Sequence, residues 1–138
     1  MDREHRMRVL VIDDDIGMTD LLTILLTPAS SEVLTANTAQ QGIEILKSEN
    51  PDVVILDLML PEEEGWKICR SIREISNVPL LILSAFDSPG MVAHALDNGA
   101  DDYLTKPISS GTLIARLHKL VRRQMTLKKT NPVTKAAI

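Results

Sequence analysis

The stretch Val9-Leu-Val-Ile-Asp-Asp-Asp15 places four consecutive apolar residues directly before three acids. A continuous apolar run predicts a strand that is buried on both faces, as in a parallel sheet covered by helices. The same pattern returns at Val53–Asp57, where four apolar residues again end on an aspartate. These two stretches therefore predict a parallel sheet with acids at the ends of its strands.

Strand and helix patterns alternate along the rest of the chain. The predicted strands are Arg8–Asp13, Glu32–Ala36, Asp52–Asp57, Val78–Ser84 and Asp101–Thr105. The predicted helices are one that ends before Pro28, then Thr38–Glu49, Trp66–Ile75, Pro89–Asn98 and Ser109–Arg123. Strands that alternate with helices require right-handed crossovers. We expect an α/β fold: a five-stranded parallel sheet in the order 2-1-3-4-5, doubly wound and flavodoxin-like, with five helices.

Composition and charge suggest how the chain is organised. Its 138 residues suit one domain, which we place at residues 1–123, followed by a linker-like tail at residues 124–138. All 19 acidic residues lie in residues 1–102, whereas the last 36 residues carry eight basic ones. A basic end can contact nucleic acid. Without interleaved aromatic residues, the pattern favours a solvated helix face followed by a linker.

Two features bear on location. No apolar run approaches the roughly 18 residues needed to span a bilayer, and the charged N-terminus lacks the apolar core of a secretory signal. The only cysteine, Cys69, cannot form an internal disulfide. A single cysteine agrees with a reducing compartment. We therefore expect a cytoplasmic location.

Polar residues that follow the predicted strands indicate a functional site. Ligands of open parallel sheets bind beyond the carboxyl ends of the strands, where the strand order reverses. In the order 2-1-3-4-5 this edge carries Asp13, Asp14 and Asp57. Their mutual repulsion calls for either protonation or a cation, and an oxygen-rich acidic pocket suits Mg²⁺ best. Ser84 and Lys106 reach the same edge. A hydroxyl and an ammonium group would bind an anion beside the metal, such as a phosphoryl group on a carboxylate.

Four ordered motifs resemble a known family. They are Val11–Asp15, Val54–Pro61 with Gly65, Ile82–Ala85 and Gly99–Pro107. Together they resemble the receiver domain of two-component response regulators, over about residues 7–123. Any one of these motifs would be weakly specific, but four at matching strand ends are highly specific.

The resemblance implies a role for each residue at the sheet edge. By this resemblance Asp57 is the phosphoacceptor. Asp13 and Asp14 are the Mg²⁺-binding pair, with Asp57 and the backbone carbonyl of Met59 as further ligands. The residues that contact the phosphoryl oxygens are Lys106 and Ser84, and Lys106-Pro107 resembles the family's cis peptide.

The resemblance also implies how such a domain is switched. The phosphoryl group comes from a histidine kinase or a small phosphodonor, and the aspartyl phosphate is later hydrolysed in the same site. The domain thus catalyses only its own modification and is not otherwise an enzyme. Ser84 turns toward the phosphoryl group and Tyr103 rotates inward behind it. This shift changes the face formed by helix 4, strand 5 and helix 5.

The stretch from Asp101 to Arg123 resembles the winged-helix, OmpR/PhoB-like subfamily, whose members dimerise through that face. The positions that match the dimer face are Leu96, Asp101, Asp102, Ala115, Arg116 and Arg123. Val92 and Thr112 stand where the subfamily has a charged pair, which weakens the expectation of a dimer. Contact with DNA is expected only through an effector domain outside this chain.

Two other function classes fit the sequence less well than a phosphorylation switch. A Mg²⁺-dependent phosphatase that forms an aspartyl phosphate would need a second aspartate two residues after Asp57, where Met59 stands, and a cap domain. A nucleotide-binding protein would need a glycine-rich first turn, and Asp13–Asp15 is its electrostatic opposite. By the resemblance to receiver domains, Phe86, two residues after Ser84, stands at a position that influences the lifetime of the phosphate. Because its side chain is bulky and would shield the attacking water, we expect slow dephosphorylation.

Overall fold

The computed structural model describes residues 6–61 and 63–130, in which strands and helices alternate. The strands are β1 (Met7–Ile12), β2 (Ser30–Ala36), β3 (Val53–Leu56), β4 (Leu80–Ser84) and β5 (Asp102–Thr105). The helices are α1 (Ile16–Leu26), α2 (Ala39–Glu49), α3 (Gly65–Ile75), α4 (Pro89–Asp97) and α5 (Ser110–Thr130). A 3₁₀ turn at Thr27–Ala29 joins α1 to β2.

All five strands are parallel and pair in the order β2-β1-β3-β4-β5, which confirms the predicted fold class and strand order. β1 and β3 lie side by side, with Val11 opposite Ile55. The chain leaves β1 toward one edge of the sheet and leaves β3 toward the other. A crevice therefore forms beyond the carboxyl ends of these two strands.

Both faces of the sheet are buried, because successive strand residues point to opposite sides. Leu10 and Leu56 belong to the core that also contains residues of α2, α3 and α4. Val11 and Ile55 belong to the other core, which contains residues of α1 and α5. This double covering explains why β1 and β3 read as continuous apolar runs in the sequence.

Four of the helices begin at a polar side chain. Their caps, Asp15, Thr38, Ser88 and Ser109, each accept a hydrogen bond from the backbone N–H three residues further on. Such a cap satisfies one of the free N–H groups of the first helical turn. Asp15 therefore serves as the cap of α1.

The predicted end of the last helix was wrong, since α5 continues past Arg123 to Thr130. Residues 124–130, predicted as linker-like, contain good helix formers and no glycine or proline. Gln124 Nε2 also donates to the backbone oxygen of Asn77 at 3.3 Å, which holds this turn against the domain. Residues 131–138 of the predicted tail lie outside the described residues, and the domain boundary at residue 123 stays a prediction.

Gly65 begins α3 at a point where a side chain has no room. A Cβ atom there would lie 2.8 Å from Leu58 Cα and 2.4 Å from Leu58 Cδ2. Because a backbone atom cannot easily move away, we expect Gly65→Ala to lower the free energy of unfolding by about 1–3 kcal/mol. Urea unfolding measures this change.

Gly90→Ala provides the matched control. Gly90 lies in the first turn of α4, and a Cβ atom there would meet no other atom within 4 Å. We expect the free energy of unfolding to stay the same or to rise by up to about 1 kcal/mol. Equal losses of stability in the two variants would contradict the close packing of Gly65 on Leu58.

Candidate functional site

Two buried carboxylates stand next to each other at the ends of β1 and β3. Asp13 directly follows β1 and Asp57 directly follows β3, and their residues are only 3% and 6% exposed. The backbone N–H of Asp57 donates to the backbone oxygen of Ile12 at 3.0 Å, which extends the pairing of the two strands up to the acids. The structure therefore brings these two predicted site residues together.

Asp14 completes the acidic cluster from a more exposed position. One carboxylate oxygen from each of Asp13, Asp14 and Asp57 lies within 4.8 Å of the other two. Asp13 and Asp57 are buried, whereas Asp14 is exposed to solvent. Three oxygen donors at this spacing fit a small hard cation such as Mg²⁺, which prefers carboxylate ligands and keeps several waters.

Lys106 bridges the two buried carboxylates. Its Nζ atom donates to Asp13 Oδ2 and to Asp57 Oδ2, each at 3.0 Å. The lysine reaches this position from the end of β5, where its backbone N–H donates to the backbone oxygen of Ser84 at 2.8 Å. The Lys106–Pro107 peptide bond is cis, as the resemblance implied.

The pKa values of this group of residues are shifted for identifiable reasons. Burial raises the pKa of Asp13, although hydrogen bonds from the Asp15 N–H and from Lys106 oppose the shift. Burial alone would lower the pKa of Lys106, but its hydrogen bonds to Asp13 and Asp57 outweigh burial and raise it. Lys106 therefore remains an ammonium group at neutral pH. One ammonium group facing three carboxylates leaves negative charge that a cation would neutralise.

Backbone groups fix how the two buried carboxylates are oriented. Asp13 Oδ1 accepts from the N–H of Asp15, and Asp57 Oδ1 accepts from the N–H of Met59, each at 3.0 Å. Each carboxylate thus has one oxygen on a loop N–H and the other on Lys106. Such contacts limit the rotation of both groups, so that the site is organised before anything binds.

Asn37 belongs to this site, although the sequence analysis did not name it. Its Nδ2 atom donates to the backbone oxygen of Asp13 at 2.9 Å and so holds the loop that carries the acids. Asn37 follows β2, and the carboxyl end of β2 lies at the same edge of the sheet. The rule that selected residues after the other strands would have found it here.

Ser84 and Tyr103 meet at the backbone of Phe86 rather than at the carboxylates. Ser84 is fully buried at the end of β4, and its Oγ atom accepts from the N–H of Phe86 at 3.3 Å. The hydroxyl of Tyr103 donates to the backbone oxygen of Phe86 at 2.7 Å. Burial raises the pKa of the Tyr103 phenol, which keeps this donor protonated. Both predicted switch residues therefore hold the loop between β4 and α4.

An open groove of about 570 Å³ borders the acidic cluster. It is lined by Leu58, Met59, Leu60, Pro61, Glu63, Glu64, Lys67 and Phe86. The side chains of Met59 and Phe86 are large, apolar and exposed, at 48% and 38%. Met59 and Phe86 thus line a groove that begins at Leu58, the residue directly after Asp57.

Five of the residues predicted for a dimer face lie on α4, β5 and α5, and the sixth, Asp101, directly precedes β5. Leu96, Ala115 and Arg123 are exposed. Asp102 pairs with Arg116 Nη1 at 2.8 Å within the same chain. Asp101 pairs with Arg73 of α3 at 2.7 Å, a partner that the sequence analysis did not identify. Both predicted acids of this face therefore have a basic partner inside the chain.

Among the helices in the described part of the chain, none combines the length and the apolar character needed to cross a membrane.

Comparisons with known proteins agree with this geometry. The profile of the response regulator receiver domain family matches residues 9–118, a span that contains the acidic cluster, Ser84 and Lys106. The transcriptional regulatory protein AfsQ1 of Streptomyces coelicolor is 36% identical over 115 residues, which cover 83% of this chain and 51% of that protein. The transcriptional regulatory protein KdpE of Staphylococcus aureus is 36% identical over 126 residues, which cover 91% of this chain and 54% of that protein.

A solved structure shows the same similarity. A response regulator receiver domain protein from Clostridium thermocellum matches with a TM-score of 0.81 at 30% identity, over 87% of this chain and 98% of that one. The chain spans about half the length of the curated relatives it matches, and those relatives are transcriptional regulators. They agree with the OmpR/PhoB-like resemblance. Since the family profile and the solved fold both cover most of its length, this chain belongs to the response regulator receiver domain family, the phosphorylation-activated switches of two-component signalling.

Proposed function

We propose that Asp57 accepts a phosphoryl group from a sensor histidine kinase. The observation that carries this proposal is the pair of 3.0 Å hydrogen bonds from Lys106 Nζ to Asp57 and Asp13 in a buried crevice. An Asp57 oxygen attacks the phosphorus of phosphohistidine, the new O–P bond forms, the P–N bond breaks, and the imidazole leaves. Water later attacks the same phosphorus, which releases inorganic phosphate and restores the carboxylate.

The residues around Asp57 would stabilise the charge of the transferred group. Lys106 is already within hydrogen-bond distance of the attacking carboxylate, so a small movement brings it to a phosphoryl oxygen. The Met59 N–H holds the other Asp57 oxygen and orients the nucleophile. Ser84 would donate its hydroxyl to a second phosphoryl oxygen.

The acidic cluster is suited to hold Mg²⁺ during this reaction. Asp13, Asp14 and Asp57 would supply carboxylate ligands, and the backbone carbonyl of Met59 a further one. Mg²⁺ bound there would neutralise the negative charge of the phosphoryl oxygens. Asp15, which caps α1, would stay outside the ligand set.

Switching would begin when Ser84 turns toward the phosphoryl group. Its Oγ atom would then leave the N–H of Phe86, and the loop between β4 and α4 would lose one of its hydrogen bonds. Tyr103, whose hydroxyl donates to the backbone oxygen of Phe86, would rotate inward. The new charge at Asp57 thereby shifts the population of the face formed by α4, β5 and α5.

We place the domain in the cytoplasm as part of a transcriptional regulator. Its curated relatives are transcriptional regulators and are about twice as long, which supports DNA binding by an effector domain outside this chain. Phosphorylation would favour a homodimer through the exposed Leu96 and Ala115, together with Arg123. The Arg116–Asp102 pair would be shared with the partner or exchanged, at little cost because exposed ion pairs contribute only about 0–1 kcal/mol.

Phosphorylation can be tested without the kinase. Incubation with Mg²⁺ and acetyl phosphate is expected to add one phosphoryl group, seen by intact-mass spectrometry. Asp57→Asn should remain unmodified because it lacks the nucleophile, and chelation of the metal should abolish the adduct. An adduct on Asp57→Asn, or none on the folded wild-type protein, would contradict the proposed role of Asp57.

Gel filtration of the same samples tests the dimer, which is expected only in the phosphorylated wild type.

Metal binding should appear in the stability of the domain. A ligand that binds only the native state at 100 times its Kd stabilises that state by about 2.7 kcal/mol. We expect Mg²⁺ to raise the Tm of the wild-type protein and to leave Asp13→Asn unchanged. Without Mg²⁺ the variant should be the more stable protein, because burial disfavours the Asp13 charge.

Asp15→Asn is the matched control for the metal experiment. Asp15 belongs to the same acidic loop but caps α1, a role that asparagine also fills. Its Tm should rise with Mg²⁺ as the wild-type Tm does. Equal responses of Asp13→Asn and the wild-type protein would remove Asp13 from the proposed ligand set.

The lifetime of the aspartyl phosphate tests the role of Phe86. Truncation in Phe86→Ala opens the groove beside Asp57 to water, and we expect the phosphate to be lost several times faster than from the wild type. Met91→Ala is the control, since Met91 is equally apolar and 36% exposed but does not line the groove. Loss rates are followed by intact mass after acetyl phosphate is removed. A Phe86→Ala rate no faster than that of the wild type would contradict the shielding.

A further inference from the structure

Arg73 of α3 ties the C-terminal end of α4 to the rest of the domain. Its guanidinium donates to the backbone oxygen of Gly99 at 2.9 Å and to that of Val78 at 2.6 Å. It also pairs with Asp101 Oδ2 at 2.7 Å, and that oxygen accepts from the N–H of Leu80 at 2.8 Å. One side chain thus connects α3, the loop before β4, the turn after α4 and the start of β5.

Gly99 is shaped to receive this arginine. Its φ of +115° is a backbone conformation that side chains disfavour. A Cβ atom at this position would also lie 2.4 Å from Arg73 Cγ. The turn therefore packs directly on the arginine, and a larger residue would displace one or the other.

Other contacts of α4 lie near the same end. Ala95, the buried residue of this helix, is 1% exposed. The ring of His94 lies 5.0 Å from the ring of Trp66 on α3. Hydrogen bonds from the N–H groups of Asn98 and Ala100 to Ala95 continue the helix into the turn that Arg73 holds. The second half of α4 is therefore fixed both by packing and by hydrogen bonds.

The beginning of α4 is held much more weakly. Residues 85–91 are all exposed, and a Cβ atom at Gly90 would meet nothing within 4 Å. Side chains hold the preceding loop at Phe86, through Tyr103 Oη at 2.7 Å and Ser84 Oγ at 3.3 Å. Both of these side chains are the ones proposed to move on phosphorylation.

We propose that Arg73 is a positioning residue that anchors the C-terminal end of α4, so that phosphorylation moves only the loop before α4 and its first turns. The C-terminal end of α4 and the turn after it are fixed at residues 95–101, whereas residues 85–91 are held only weakly, so that α4 moves about its C-terminal end. The phosphorylation step of this inference rests on the proposed function of Asp57. The anchoring itself is a property of the unmodified protein.

Hydrogen exchange of the full chain, read by mass spectrometry, tests both statements. In the wild-type protein, acetyl phosphate with Mg²⁺ is expected to change exchange at residues 85–92 and to leave residues 96–101 within about twofold of their unmodified rates. In unmodified Arg73→Met, exchange at residues 96–101 should rise at least about tenfold, because charge-assisted hydrogen bonds are lost. Once phosphorylated, this variant should show changes along the whole of α4.

Arg70→Met is the matched control, since Arg70 is an exposed arginine on the same helix that lines the groove beside Gly99 but, within the described residues, donates no hydrogen bond to it. Its exchange pattern should equal that of the wild type. Gly99→Ala disrupts the contact between Arg73 and Gly99 from the glycine side, and we expect it to reproduce the exchange pattern of Arg73→Met. It takes the place of Arg73→Met if Arg73→Met folds poorly. Intact mass, recorded alongside, shows whether Asp57 is modified.

The outcomes separate the two claims. If hydrogen exchange in the phosphorylated wild type changes as much at residues 96–101 as at residues 85–92, the proposal that α4 moves about a fixed C-terminal end is wrong. If neither Arg73→Met nor Gly99→Ala exposes residues 96–101 more than Arg70→Met does, the anchor is overturned. If no adduct forms, the proposed function of Asp57 fails, and the comparison of unmodified variants still decides the anchor.

Discussion

The arrangement of this domain depends on two buried carboxylates held next to each other by one lysine. Asp13 and Asp57 follow adjacent parallel strands, so the pairing of β1 with β3 leaves their side chains facing one another. Two carboxylates removed from water repel each other and favour protonation. Lys106 offsets part of this cost with a hydrogen bond to each, and it reaches them because β5 ends at the same sheet edge. The site therefore combines two carboxylates that repel each other with a lysine ammonium group that can move to a new anion.

Much of this site follows from the sequence because strand ends fix positions in space. The apolar runs before Asp13 and Asp57 identified two fully covered strands, and the rule for parallel sheets placed the acids in one crevice. Lys106 and Ser84 were found in the same way, from the strands that they follow. The proposed Mg²⁺ ligands and the role proposed for each side chain rest on the resemblance, since spacing alone does not distinguish a metal ligand from a nucleophile.

Other features depend on contacts that local sequence patterns do not contain. Arg73 reaches Asp101 across 28 positions of the chain, and nothing around either residue identifies the other as its partner. The end of α5 was missed because polar residues at positions 124–130 lack a clear apolar period, yet their helix propensity and the contact of Gln124 with Asn77 continue the helix. Asn37 follows a strand as the other site residues do, but an asparagine at such a position is more typical of a turn than of a functional site.

A buried charged cluster is useful for signalling because it couples chemistry to a few specific hydrogen bonds. Under the proposed function, a phosphoryl group on Asp57 would compete for Lys106 and for the hydroxyl of Ser84, which accepts from the N–H of Phe86. Few other contacts hold the loop before α4, so losing one hydrogen bond there is a large fraction of what keeps it in place. The same loss beside Gly99 would matter less, because Arg73 makes several contacts at once. The weakly held N-terminal end of α4 therefore lies on the side where phosphorylation would change the charge. The firmly held C-terminal end lies where β5 begins.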